Sequence, residues 1–380
     1  MAPLEPWEKA LVDGDAFLAT VHGKISCQEC HQGLQSPDKE TAHTDLIAYP
    51  SEDPEAACGE CHPNLVASAE NSLHSTLDGY YTALASRGVP ENHPATEEMF
   101  GNHCESCHAT CGDCHVSRPT SVDGGFISGH VFEAEPSMTN NCTACHGSRV
   151  GNEYMGKHED LKADVHFRQG RMTCVDCHTG HEMHGVEPDC QECHEGPEAD
   201  QLAPETHRYD GLQSPSCETC HASVVAGNDG VLMHEQHDGS MSCQVCHSVS
   251  YTSCDNCHVS ISEETGNPIF STDGSYLGFY IGKNPLQSYA RPYTYVPVRH
   301  VPISSTSFDY YEVGLVSNFS GRETWVYATP HNIQRNTPQT ESCASCHGNP
   351  DIFLTADKVA PEELKANQDV IIDVVPPLPQ

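Results

Sequence analysis

The sequence predicts a fold with little regular secondary structure: short helices and coil wrapped around a closely spaced row of bound groups, with one small β-rich insertion. Three observations predict this class. All 22 cysteines fall into eleven copies of Cys-x-x-Cys-His. Glycine and proline contribute 29 and 26 of the 380 residues, too many for long regular elements. Thirteen of the 26 aromatic residues crowd between Phe270 and Tyr327, in a stretch that holds none of the motifs.

The motifs open at Cys27, Cys58, Cys104, Cys111, Cys142, Cys174, Cys190, Cys217, Cys243, Cys254 and Cys343. Their second cysteines are Cys30, Cys61, Cys107, Cys114, Cys145, Cys177, Cys193, Cys220, Cys246, Cys257 and Cys346. The closing histidines are His31, His62, His108, His115, His146, His178, His194, His221, His247, His258 and His347. This pattern is the attachment signature of c-type haem. Both thiols form thioethers to the porphyrin vinyls, and the adjacent histidine becomes the proximal iron ligand. A structural zinc site needs four convergent ligands and gives no reason for a histidine after every second cysteine. A disulfide framework does not place every cysteine at one spacing. The expected cofactor is therefore haem c, eleven per chain.

Composition agrees with a core built from cofactor. Hydrophobic residues are 37%, and that share includes every cysteine. Without haem the chain would resemble an acidic sequence that collapses poorly, whereas each macrocycle buries far more apolar surface than a side chain does. The formal charge is −36, from 54 acidic and 18 basic residues. Such a polyanion repels nucleic acid and anionic headgroups, so no nucleic-acid partner is expected. No apolar run approaches transmembrane length, so no membrane insertion is expected either.

The order of elements repeats. His22-Gly23 before the Cys27 motif matches His184-Gly185 before the Cys190 motif, and His43 and His207 follow. The motifs at Cys58 and Cys217 come next, trailed by His74 and His234. Tandem motifs follow, at Cys104 and Cys111 in one half and at Cys243 and Cys254 in the other. Then His130 precedes Cys142 as His331 precedes Cys343. This reads as a first five-haem module over 1–150, a one-haem linker over 151–183 and a second five-haem module over 184–348. The tail is 349–380.

Of 26 histidines, fifteen lie outside the motifs, enough for a second ligand on every iron. The expected distal ligands are His22, His43, His74, His103, His130, His166, His184, His207, His234, His237 and His331, with His166 assigned to the linker haem at Cys174. His300, His93, His181 and His158 are alternates. Two imidazoles per iron give low-potential centres with no open site, which pass electrons and bind no substrate. From His108 to Cys111 the chain spans at most roughly 11 Å, so those two haems must nearly touch. No catalytic residue is expected.

The haem-free stretch contains the β-rich insertion, at about 262–330. Residues 293–303 alternate as a strand does, with prolines that should confine them to an edge or a bend. In the tail, residues 360–367 suggest a short helix. Residues 369–375 suggest a strand that packs on the insertion or, as the alternative, adds to a neighbour's sheet.

On all eleven motifs, over residues 22–347, the chain resembles the multihaem c-type cytochromes of respiratory electron export. Two five-haem modules in series look like the decahaem conduits of metal-reducing bacteria. The haem density and acidity look like the extracellular cytochromes that polymerise into nanowires. The linking haem and the β-insertion depart from the decahaem pattern. The resemblance implies long-range electron transfer to an extracellular acceptor such as a metal oxide, to other cytochromes or to redox partner proteins. A homopolymer would form through end-to-end haem stacking. The alternative class is an oxidoreductase of the tetrathionate, nitrite or hydroxylamine type, with one open iron among bis-histidine haems; no Cys-x-x-Cys-Lys marks such a site here. Residues 1–6 lack a cationic start and an apolar core, yet covalent haem attachment takes place outside the cytoplasm. The expectation is a removed leader and a mature protein at the cell surface or in the periplasm.

Overall fold

The computed structural model describes residues 4–103, 109–119, 122–158, 160–186, 217–225, 229–237, 239–250, 253–275, 278–287, 291–301 and 303–379. Short helices joined by coil dominate. The longest among the described residues, Pro94–His103, has ten residues.

Several helices are the motifs themselves. Cys27–His31, Cys111–His115 and Cys243–His247 each form a single α-helical turn, and Cys174–Asp176 and Cys343–Ser345 form 3₁₀ turns. One turn brings positions i, i+3 and i+4 to the same side, where the two cysteines and the histidine stand. The closing bond recurs: the amides of His62, His178, His221 and His347 donate to the carbonyls of Cys58, Cys174, Cys217 and Cys343 at 2.8–2.9 Å. Thr110 with Asp113, and Thr173 with Asp176, form capping boxes that fix where two of these turns begin.

The motif at Cys254 differs. Its backbone lies in strand β1 (Ser253–Ile261), which pairs antiparallel with β2 (Pro268–Ser275), with a bulge between Cys254 and Asn256. The β-structure thus starts ahead of residue 262 and takes in this motif.

A second sheet holds β3 (Tyr280–Lys283), β4 (Tyr295–His300) and β5 (Trp325–Tyr327) in the order β3-β4-β5, all antiparallel. Pro297 therefore sits in the central strand, not at an edge. A strand residue directs its N–H and C=O to the same neighbour. The Pro297 carbonyl accepts from Ala328, one residue past the end of β5, so the missing donor falls where that ladder stops.

The tail closes this sheet. Val296, Val298, Trp325, Tyr327, Leu354, Val359, Val370 and Ile371 form one buried cluster, and Ile281, Phe353 and Ile372 join Val245 in another. Residues 369–375 pack on the insertion as expected, but as turns and not as a strand. Their ladder is reduced to single bonds: Lys283 N–H to the Val370 carbonyl, and Ile372 N–H to the Leu354 carbonyl, each 2.8 Å. In place of a helix over 360–367 there is one 3₁₀ turn, Pro361–Glu363, set by its leading proline. Asn367, fully buried, accepts from the amides of Thr324 and Trp325 and donates to the Glu363 carbonyl.

A third cluster joins Leu77, Leu84, Val89, Met99 and Phe100 to Leu315 of the insertion. Arg87 locks that contact, donating to the carbonyls of Phe319 and Glu323 at 2.9 Å; burial lowers its pKa to about 10. The first part of the chain has no such core. No residue between Leu4 and Cys58 is buried, and Trp7, Leu18, Val21 and Leu34 are each more than half exposed.

Candidate haem sites

Eight times, the imidazole of a motif histidine faces the imidazole of a histidine outside the motifs. The pairs are His31–His130 at 5.8 Å between ring centroids, His62–His22 at 6.2 Å, His115–His184 at 6.1 Å and His146–His74 at 6.2 Å. They continue with His178–His331 at 6.3 Å, His221–His166 at 6.1 Å, His247–His234 at 6.1 Å and His347–His237 at 6.2 Å. Every pair has one member of each kind.

This spacing fits a metal between two rings. Metal–imidazole bonds of about 2 Å, plus about 1.2 Å from each centroid to its ligating nitrogen, place the centroids roughly 6.3 Å apart. Ordinary aromatic pairs also fall within about 4.5–7 Å, so distance alone does not discriminate. The angles do. The rings are 4° from parallel in His115–His184 and 86° in His74–His146, at separations of 6.1 and 6.2 Å. Direct ring packing changes its spacing between stacked and edge-on forms, as Tyr81–Phe100 shows at 4.5 Å and Tyr80–Phe100 at 6.1 Å. Ligands on a common axis rotate freely without changing separation. All 16 cysteines whose side chains are described are free of disulfides, so their thiols are available to become thioethers.

The outer nitrogen of many rings is held, which fixes orientation and tautomer. Main-chain carbonyls accept from Nδ1 of His31 (Ile47, 2.8 Å), His115 (Glu133, 2.6 Å), His184 (Gly180, 2.6 Å), His237 (Met233, 2.9 Å), His247 (Gln334, 3.1 Å) and His347 (Pro377, 2.8 Å). Carboxylates take this role at His178 (Glu182, 3.0 Å), His166 (Asp164, 3.0 Å) and His234 (Asp229). Burial lowers the pKa of His22, His74 and His130, which keeps those rings neutral with a lone pair for a metal. The Glu182 hydrogen bond instead raises that of His178. Gly185, in the left-handed region, turns the chain directly after His184; a Cβ there would meet the Ser68 carbonyl oxygen and the Ser72 amide at 2.6 Å.

Thiols of successive motifs lie within reach of each other's charge. The contacts run Cys30–Cys61, Cys58–Cys111, Cys114–Cys142, Cys142–Cys174, Cys177–Cys220, Cys217–Cys243 and Cys246–Cys346. Cys145, the second cysteine of the Cys142 motif, is exposed and also lies within reach of Cys114. The eight paired sites therefore form one row in chain order, from His31 to His347.

Other sequence expectations fare differently. His166 faces His221, and the linker histidine His178 faces His331; the partner assigned to the linker is thus corrected. His43 is exposed and is not among the eight pairs. Nor is His103, whose Nε2 is hydrogen-bonded to the Tyr311 hydroxyl at 2.5 Å. Among the alternates, His300 Nε2 is bonded to Glu363 at 3.0 Å and its ring lies against Trp325, and His93 lies 3.6 Å from Glu312. His158 and His181 are outside the eight pairs as well. Two whole motifs lie outside the described residues: Cys104 with Cys107 and His108, and Cys190 with Cys193 and His194. His207 lies outside them too. For Cys254, Cys257 and His258 only the backbone is described.

The sequence reading missed the carboxylates. Asp164, Glu182 and Asp229 stand two, four and five residues from the histidines they hold, and that local spacing was their only signal. It also missed Glu153, buried, which accepts from the amides of His331 and Asn332 and so positions His331.

Among the described residues no three His, Cys, Asp or Glu side chains converge on a bare metal ion, and no helix is long and apolar enough to cross a membrane. Comparison with family models, with curated proteins and with solved structures gave no match to this chain.

Proposed function

We propose that this protein carries electrons over a long distance through eleven covalently bound c-type haems, held where described by two histidines each. The observation that carries the reading is the set of eight facing imidazole pairs, one motif histidine in each. Bound haem supplies reversible one-electron chemistry at iron. The chain does the rest. Cysteine pairs on single turns would anchor the ring edge, and the motif histidine and its partner would each supply a nitrogen to the metal. Carbonyls and carboxylates hold the outer nitrogens. A metal held by both rings would offer substrate no coordination site. The row of thiol contacts supports hopping from the His31 end to the His347 end. The unburied apolar side chains between Leu4 and Cys58 support a core made of macrocycles. The setting we infer is extracytoplasmic respiratory electron export, with redox proteins or an external acceptor as partners.

Intact mass and haem spectra of the native protein test this. Eleven added haems and a low-spin ferric spectrum are expected. Substantial carbon monoxide binding by the reduced protein would instead indicate an oxidoreductase with an open iron, and a protein without covalent haem would end the proposal.

A further inference from the structure

Resting on that reading, we infer that Glu182, Asp164 and Asp229 lower the potentials of the His178, His221 and His247 sites, three consecutive centres of the row.

In the eight pairs, a carboxylate is hydrogen-bonded to a ligand imidazole at these three sites. Glu182 holds the motif histidine His178, while Asp164 and Asp229 hold the distal ligands His166 and His234. The three sites are consecutive, linked through Cys177–Cys220 and Cys217–Cys243. At the His31, His115 and His347 sites the motif histidines donate to main-chain carbonyls instead.

An anionic acceptor on Nδ1–H pushes electron density through the ring towards the metal, more than a neutral carbonyl does. Its charge also favours the more positive iron. Both effects stabilise ferric over ferrous and lower the potential. Two of the three carboxylates are well shielded, with side-chain exposure of 2% for Asp164 and 3% for Glu182, so water screens them little.

Carboxylate-to-amide variants of the haem-loaded protein provide the test. Glu182→Gln, Asp164→Asn and Asp229→Asn keep an oxygen acceptor and so keep the ring oriented; only the charge is lost. Asp229, the most exposed of the three at 17%, gives a variant with the least demand on folding. In a spectroelectrochemical titration each variant should move one haem equivalent to higher potential. At fixed potential its ferric-to-ferrous ratio should fall roughly tenfold, about 59 mV for a one-electron couple. Low-spin signals and haem count should not change. Titrations that superimpose on the wild type, with eleven low-spin haems present, would overturn the inference. A wild type without those haems would overturn the functional reading instead.

Discussion

Replacing His331 by alanine should open one iron and leave the rest of the row intact. His331 faces His178 at 6.3 Å. The segment around it is anchored independently of the ring: the His331 amide donates to Glu153 at 2.6 Å, and buried Asn332 donates to the carbonyls of Glu153 and Lys162. Losing the imidazole should therefore remove a ligand without moving the chain. With eleven motifs, one open iron amounts to about 9% of the haem. Difference spectra of the reduced protein with and without carbon monoxide should show a new Soret component of that size, absent from the wild type. Deleting the Cys174 haem as well, with Cys174→Ala and Cys177→Ala, should abolish the gain, because the iron that His331 covers is then gone. The same deletion should leave intact the gain caused by His166→Ala, since His166 faces His221. A His331→Ala protein with a wild-type spectrum, or a gain that survives loss of the Cys174 haem, would refute the pairing.

Three further outcomes are expected. Chain made without haem attachment should show little helix by circular dichroism and rapid proteolysis between Leu4 and Cys58, where nothing is buried; cooperative unfolding of that chain would contradict a haem core. Asn367→Ala leaves two buried amides, of Thr324 and Trp325, without an acceptor and should cost roughly 2–4 kcal/mol in denaturant titrations, with haem count unchanged. Burial pushes the Glu363 carboxyl up, but the hydrogen bond and charge of His300, with help from Thr324 and Arg87, hold it below its usual 4.5. Its contribution is present above the unfolded value and is lost as pH falls through the lower folded one. Hydrogen exchange over residues 361–372 should accelerate in acid below about pH 4.5, and Glu363→Gln should abolish that dependence.

What was legible in the sequence was local. A motif histidine follows its cysteines by one turn, so anchor and proximal ligand are written side by side. The surplus of histidines outside the motifs was legible as a count, and eight of the eleven nominated residues face a motif ring. Which ring each faces was not legible. The partner of His31 lies beyond three further motifs, at His130, and that of His178 beyond the motifs at Cys190, Cys217, Cys243 and Cys254. Nearness in the chain suggested His166 for the linker haem, and tertiary packing carries it to His221 instead. The tail strand failed for a related reason: Val370, Ile371 and Ile372 are buried as their apolarity demands, but Asn367 and the turns around it, not a ladder, hold them there. Pro297 misled because the rule against central-strand prolines assumes a ladder that continues on both sides.

The ligand geometry also repeats, and with a different offset from the motif order. His130 caps the His31 site, and three residues later Glu133 exchanges bonds with His115: its carbonyl accepts from Nδ1 and its amide donates to the His115 carbonyl. His331 caps the His178 site, and three residues later Gln334 does the same for His247. One short segment thus faces one motif histidine and orients another, twice. The His62 and His221 sites correspond in the same way, with distal ligands, His22 and His166, that precede the motifs at Cys27 and Cys174. The thiol contacts agree, since Cys30–Cys61 and Cys58–Cys111 match Cys177–Cys220 and Cys217–Cys243. By this measure the His178 site is the counterpart of the His31 site and not an unpaired linker. In the second string carboxylates are hydrogen-bonded to three of the rings, Glu182 to His178, Asp164 to His166 and Asp229 to His234. Placing an aspartate two residues before His22, as Thr20→Asp, copies the Asp164–His166 arrangement into the first string. It should lower the potential of the His62 site alone; an unchanged titration would show that spacing without the carboxylate's burial is not enough.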